Sequence, residues 1–135
     1  MYLGNSLISW SSSQQSVVAL STVEAEYIAM SHALKEILYL RNLLNELKIK
    51  QYNPTILYCD NQGAIALAHN PTHHKLTKHI DIRYHRVRNE IENNNIIIKY
   101  INTNINPADI MTKPLSPVKH NNAITLLKLC KDKLS

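Results

Sequence analysis

The chain has no phenylalanine, only two glycines and only two cysteines among its 135 residues. Cys59 and Cys130 make no disulfide framework, and no CxxC pair is present. This excludes a disulfide-stapled secreted scaffold and a multi-cysteine zinc module, and favours a reducing, intracellular setting, cytoplasmic or nuclear. Long apolar runs are missing too. The longest helical apolar stretch, residues 27–40, is interrupted by His32, Lys35 and Glu36, far short of the ~18–20 apolar residues a membrane span needs. No charged-then-apolar signal pattern opens the chain, so no membrane partner is expected. Residues 1–23 contain no Asp or Glu at all. The missing Phe and the abundance of Asn and Ile carry no functional weight.

What is present reads as globular. Hydrophobic residues make up 44% and charged residues 19%, enough for one domain to bury a core unaided. The net charge of +5 is unevenly spread: Lys75, Lys78, Arg83, Arg86 and Arg88 stand against Asp81 alone, with His73, His74, His79 and His85 among them. Such a run is either a solvated helix face or a footprint for a phosphate backbone.

The local pattern gives an α/β layout, β-β-α-β-α-α-β-α-α with a mixed sheet. Residues 4–10 and 16–20 read as strands of a hairpin around Ser11, Ser12 and Ser13. Ser21 reads as an N-cap with Glu24 completing a capping box, opening a helix over 22–47. Residues 55–60 form an apolar strand with the character of a central one. A short helix over 63–69 ends at Asn70-Pro71. A second amphipathic helix spans 76–92, with Ile80, Tyr84, Val87 and Ile91 inward. Asn93, Asn94 and Asn95 turn the chain into a strand over 96–101. Asn106 caps a further helix with Pro107 at its first position, Pro114 and Pro117 stop it, and a last helix covers 118–131.

Three acids stand where elements begin or end: Glu26 at the start of the long helix, Asp60 at the end of the central strand, Asp109 at the start of the late helix. Glu26 continues the line Met30, Ala33, Ile37, Leu40, Leu44, which is the expected buried stripe. Glu24, about 200° away, shares a mixed flank with Ile28, Ser31 and Lys35 and takes the capping role. A carboxylate extending an apolar stripe is costly unless something binds it. Asp60 lies at the carboxyl end of a buried strand, where sites in α/β sheets gather. Each acid alone has an ordinary explanation in capping, turn formation or the helix dipole. Carboxylates converging from separate elements are what a divalent cation needs, and two such cations drive phosphodiester cleavage.

The contexts of these acids are ordered along the chain. They are Ile8-Ser9-Trp10-Ser11-Ser12 with Gln14, Ser21-Thr22-Val23-Glu24-Ala25-Glu26-Tyr27, Tyr58-Cys59-Asp60-Asn61, Lys78-His79-Ile80-Asp81-Ile82-Arg83-Tyr84-His85, and Asn106-Pro107-Ala108-Asp109-Ile110-Met111-Thr112-Lys113. Over residues 2–130 they resemble the ribonuclease H domain at the end of the Pol polyprotein of copia-type LTR retrotransposons. The resemblance implies a ribonuclease H-like mixed sheet with flanking helices and hydrolysis of the RNA strand of RNA–DNA hybrids, with two magnesium ions as cofactor. Glu26, Asp60 and Asp109 match catalytic, metal-binding carboxylates. Lys75, Lys78, His79, Arg83 and Arg86 are the expected nucleic-acid contacts. Residues 1–115 would form the domain and 116–135 a helical tail, with an upstream polymerase domain as a partner and a cytoplasmic virus-like particle or the nucleus as the setting.

The family has a fourth carboxylate on its first, central strand, and this sequence matches the family only beyond it. Without that strand the residues near 3–10 and 55–60 lack a partner, so marginal stability and weak or absent nuclease activity are expected of the chain. A non-catalytic nucleic-acid-binding module is the alternative. An interaction protein built on the long helix is a third and weaker class, since a helix stripe is more often core than interface.

Overall fold

The structure, a computed structural model, describes residues 1–4, 6–12, 21–70 and 78–129, without the side chains of Ser6 and residues 78–81. In chain order the elements are strands β1 (Tyr2–Leu3) and β2 (Ser6–Leu7), helix α1 (Thr22–Glu46), strand β3 (Thr55–Cys59), helices α2 (Gln62–His69) and α3 (Lys78–Glu92), and strand β4 (Ile96–Tyr100). Two 3₁₀ turns (Thr103–Ile105 and Pro107–Met111) and helix α4 (Pro117–Leu127) complete them. The α/β class expected from sequence holds. Among the described residues, however, the strands make two separate two-stranded sheets, β1 with β2 and β3 with β4, not one mixed sheet.

Residues 18–100 form one compact unit and residues 1–17 with 101–135 another. In the first, Ser21 accepts a hydrogen bond on its hydroxyl from the Glu24 N–H at 3.2 Å and starts α1, the N-cap arrangement read from sequence. Helix α1 ends where Lys48 takes a left-handed φ of 64°. The chain then doubles back under Arg41, whose guanidinium donates to the carbonyls of Gln51 and Asn53 and to the Thr55 hydroxyl, each at 3.0 Å. That clamp delivers the chain to β3. Parallel strands need a helical crossover; α2 and α3 supply it before β4 pairs with β3 in the register Thr55↔Ile96 to Cys59↔Tyr100. Asn94, at φ 56°, makes the reversal between α3 and β4, a conformation asparagine tolerates better than most residues.

One face of this small sheet and the inner faces of the three helices make the core, with Tyr27, Ile28, Leu34, Ile37, Cys59, Ala64, Tyr84, Val87, Ile96 and Ile98 buried. Tyr27 and Tyr84 face each other with ring centroids 5.9 Å apart, and the Tyr27 hydroxyl donates to the Tyr84 carbonyl at 3.2 Å. Burial, reinforced by Tyr84, drives the Tyr27 phenol far above its ordinary value. The Tyr84 hydroxyl in turn donates to the Asn70 carbonyl. The opposite sheet face is open: Ile56, Tyr58 and Ile97 are 43%, 56% and 38% exposed. The apolar run 55–60 is therefore half-buried rather than covered on both faces.

Two other expectations are corrected here. The buried face of α1 runs through Glu24, Tyr27, Ile28, Met30, Ser31, Leu34 and Ile37; Ala33, Leu40 and Leu44 are only half-buried. Glu24, given a mixed flank, is 8% exposed, and Glu26 is half-buried. In α3, Tyr84 and Val87 are inward as expected, Ile91 is half-buried, and the side chain of Ile80 lies outside the described residues.

In the second unit the expected strand 4–10 is broken by a turn. Gly4, at φ +58°, reverses the chain so that Tyr2 pairs with Leu7 and Leu3 with Ser6; Gly-Asn is turn chemistry that a continuous strand reading ignores. The strand expected over 16–20 lies outside the described residues. The Tyr2 hydroxyl donates to the Leu126 carbonyl and the Ser12 hydroxyl to the Met111 carbonyl, both at 3.0 Å. Asn106 caps its segment as expected, accepting from the Ala108 N–H at 3.2 Å. That segment is a 3₁₀ turn and not an α-helix, and Pro114 stops it from continuing.

Candidate metal centre

Glu26 lies in the second turn of α1, and Asp60 is the first residue after β3. Asn61 follows at once as the N-cap of α2, its side-chain oxygen accepting from the Ala64 N–H at 3.0 Å. The starts of α1 and α2 are held close by Gly63: a Cβ there would sit 2.9 Å from Val23 Cγ2 and 3.2 Å from Asn61 Oδ1. Only a residue without a side chain permits this approach, and the approach carries Glu26 to the end of β3. Donor atoms of Glu26, Cys59 and Asp60 all lie within 4.8 Å of one another, with Cys59 buried and both acids half-buried.

Gly63→Ala should therefore destabilise the 18–100 unit. Alanine in a helix gains up to about 1 kcal/mol over glycine. Pushing a methyl into the stiff, β-branched Val23 costs about 1–3 kcal/mol. The expected net is a loss of about 1 kcal/mol, read as a lower urea midpoint; an increase would mean the two helix starts are not tightly apposed.

Cys59, at the end of an apolar strand, has the place of a small buried hydrophobe. It is buried, but its thiol faces the acids. The sulfur accepts from the Asn61 N–H at 3.5 Å and the thiol donates to the Asn61 carbonyl at 3.6 Å. Burial pushes the thiol above its ordinary value, the Asn61 contact opposes this, and the negative charges of Glu26 and Asp60 push it further up. A cysteine directly beside the strand-end aspartate was the available signal. The strand ends at Cys59, so the alternation that would place neighbours on opposite faces stops there.

Asp109 belongs to the other unit. Its carboxylate, in the turn 107–111, accepts from Lys113 Nζ at 3.2 Å just beyond that turn. It also lines a cleft of ≈280 Å³ together with Asn104, Asn106 and Lys119. Of the expected nucleic-acid contacts, Lys75 lies outside the described residues, and Lys78 and His79 are placed on α3 by backbone only. Arg86 is exposed. Arg83 is half-buried, and its Nη1 is buried without a hydrogen-bond partner. Arg88 pairs instead with Glu92 at 2.8 Å, and that hydrogen bond raises its guanidinium further above its ordinary value. Among the described residues no helix is long and apolar enough to cross a membrane.

The known proteins that this chain resembles are of one kind. It is 47% identical over 106 residues (78% of the chain) to the retrovirus-related Pol polyprotein from transposon TNT 1-94 of Nicotiana tabacum. It is 40% identical over 122 residues (90% of the chain) to that from transposon RE2 of Arabidopsis thaliana. It is 33% identical over 118 residues (87% of the chain) to the transposon Ty1-NL2 Gag-Pol polyprotein of Saccharomyces cerevisiae. No family model and no solved structure matches the chain. The homologues are thus Pol polyproteins of copia/Ty1-type transposons. The chain corresponds to a short segment of them, 8% of the two plant polyproteins and 7% of the yeast one.

Proposed function

We infer that the chain is a ribonuclease H-type segment of a retrotransposon Pol polyprotein, and that Glu26 and Asp60 hold divalent cations for cleavage of the RNA strand of RNA–DNA hybrids. The observation that carries this is the meeting of the two carboxylates, 34 positions apart in sequence, at the carboxyl end of a strand. Oxygen donors from two rigid elements suit magnesium or manganese. Bound there, such ions supply an activated water and charge stabilisation of the departing 3′ oxygen. Asp109 is assigned a metal-binding role by its sequence context alone. The basic side of α3, with Arg83 and Arg86, is assigned to phosphates, and RNA is distinguished from DNA by its 2′-hydroxyls. A polymerase domain elsewhere in the polyprotein is the expected neighbour.

Binding of hybrid that strengthens with a divalent cation is the expected property. The test is binding of a labelled RNA–DNA hybrid with and without magnesium. Hybrid should be held more tightly than duplex DNA, magnesium should strengthen that preference, and Glu26→Gln with Asp60→Asn should remove the response. Equal affinity for both duplexes, indifferent to magnesium, would sink the nuclease assignment.

A further inference from the structure

The cleft at the end of β3 offers more than oxygen. Cys59 Sγ lies within 4.8 Å of donor atoms of both Glu26 and Asp60, so the convergent set is two carboxylates and a thiol. We propose that Cys59 is a third ligand in this cleft, and that it gives the site a preference for thiophilic divalent cations, zinc or cadmium, over magnesium. This rests on the cation site inferred above and specifies which ions compete for it.

The chemistry follows from donor type and spacing. Around a tetrahedral zinc, with bonds of about 2.3 Å to sulfur and about 2.0 Å to oxygen, neighbouring donors stand about 3.5 Å apart. Donors already within 4.8 Å close to that spacing by side-chain rotation, with the backbone positions of α1 and β3 unchanged. The contacts of the sulfur to Asn61, at 3.5 and 3.6 Å, are weak because sulfur is a poor donor and acceptor, and are readily exchanged for a metal bond. On binding, the thiol proton is released to solvent and the sulfur's electron pair forms the bond to the cation. Magnesium demands near-octahedral oxygen ligation and gains nothing from sulfur, whereas thiolate selects zinc and its heavier relatives. A zinc ion seated on Glu26, Cys59 and Asp60 occupies the carboxylates that magnesium needs. Cys59 is thereby a point at which trace thiophilic metal silences the site.

Cadmium titration tests this, because a cadmium–thiolate bond absorbs in the ultraviolet and manganese binding is read separately by the loss of free-ion magnetic resonance signal. The full chain is used with Cys130→Ser, which removes the other thiol. Cadmium should give a saturable thiolate band and displace bound manganese. Adding Cys59→Ser should abolish the band and weaken cadmium binding by about tenfold or more, while manganese affinity shifts by less than about twofold. Retained manganese binding also shows that the variant is folded. If manganese binds through Glu26 and Asp60 but no thiolate band forms, or the band survives Cys59→Ser, the proposal is wrong and the cation site stands. If neither metal binds, the cation site itself falls, and this proposal with it.

Discussion

Leu34→Ala should lower the stability of the 18–100 unit by about 3 kcal/mol, whereas Leu40→Ala, six residues along the same helix, should lower it by about 1 kcal/mol or less. Leu34 is fully buried and Leu40 only half-buried. Truncating a buried leucine forfeits its transfer free energy and leaves a cavity, while a half-buried one gives up only part of the first. A unit of this size carries about 4–12 kcal/mol in total, so the first variant removes a large fraction of it. On the open sheet face, Ile56, Tyr58 and Ile97 leave part of their apolar area in water, where it adds nothing to that total. Urea unfolding of the two variants, compared by midpoint at constant slope, decides the matter. Equal losses, or a larger loss at Leu40, would mean the helix is rotated from the orientation described.

The contrast between these two leucines shows where sequence reasoning ran out. The limits of α1 were legible, because Ser21 and the loss of periodicity near Leu47 are local signals. Its inward face was not. Helix α1 carries Tyr27, Ile28, Met30, Leu34, Ile37, Leu38, Tyr39, Leu40, Leu43 and Leu44, apolar side chains on nearly every side, so spacing alone permits more than one buried line. Packing against β3, α2 and α3 chose the line through Tyr27 and Leu34. Glu24 and Glu26 were consequently misjudged in burial, although the pairing of Glu26 with Asp60 was anticipated. That pairing came from the resemblance and from the position of Asp60 at a strand end, both of which survive a helix rotated by tens of degrees. Cys59 was missed as a donor because a cysteine in an apolar strand is ordinarily filler, and only the geometry shows what its sulfur faces. The turn at Gly4 and the 3₁₀ segment from Pro107 failed for a different reason: Gly4 was read as part of a continuous strand and Pro107 as the first residue of an α-helix, although Gly-Asn favours a turn and Pro114 follows closely.

Manganese should stabilise the 18–100 unit strongly, and only through the two acids. A ligand that binds the folded state alone adds RT ln(1 + [L]/Kd), about 2.7 kcal/mol at one hundred times Kd. For a unit of this size, each kcal/mol moves the melting temperature by about 4–8 °C. The expected rise is therefore roughly 10–20 °C, outside any error of a thermal melt. Unfolding separates Glu26 from Asp60, 34 positions along the chain, so the unfolded state offers no comparable chelate. Glu26→Gln with Asp60→Asn keeps the shape of both side chains while removing the charge. That variant should melt at the same temperature with and without manganese. Cys59→Ser should keep most of the rise, since manganese prefers oxygen. A rise that persists in the doubly neutral variant would place the ion elsewhere on the chain. No rise in the wild-type chain would mean that two carboxylates meeting at the end of β3 do not suffice to capture a cation.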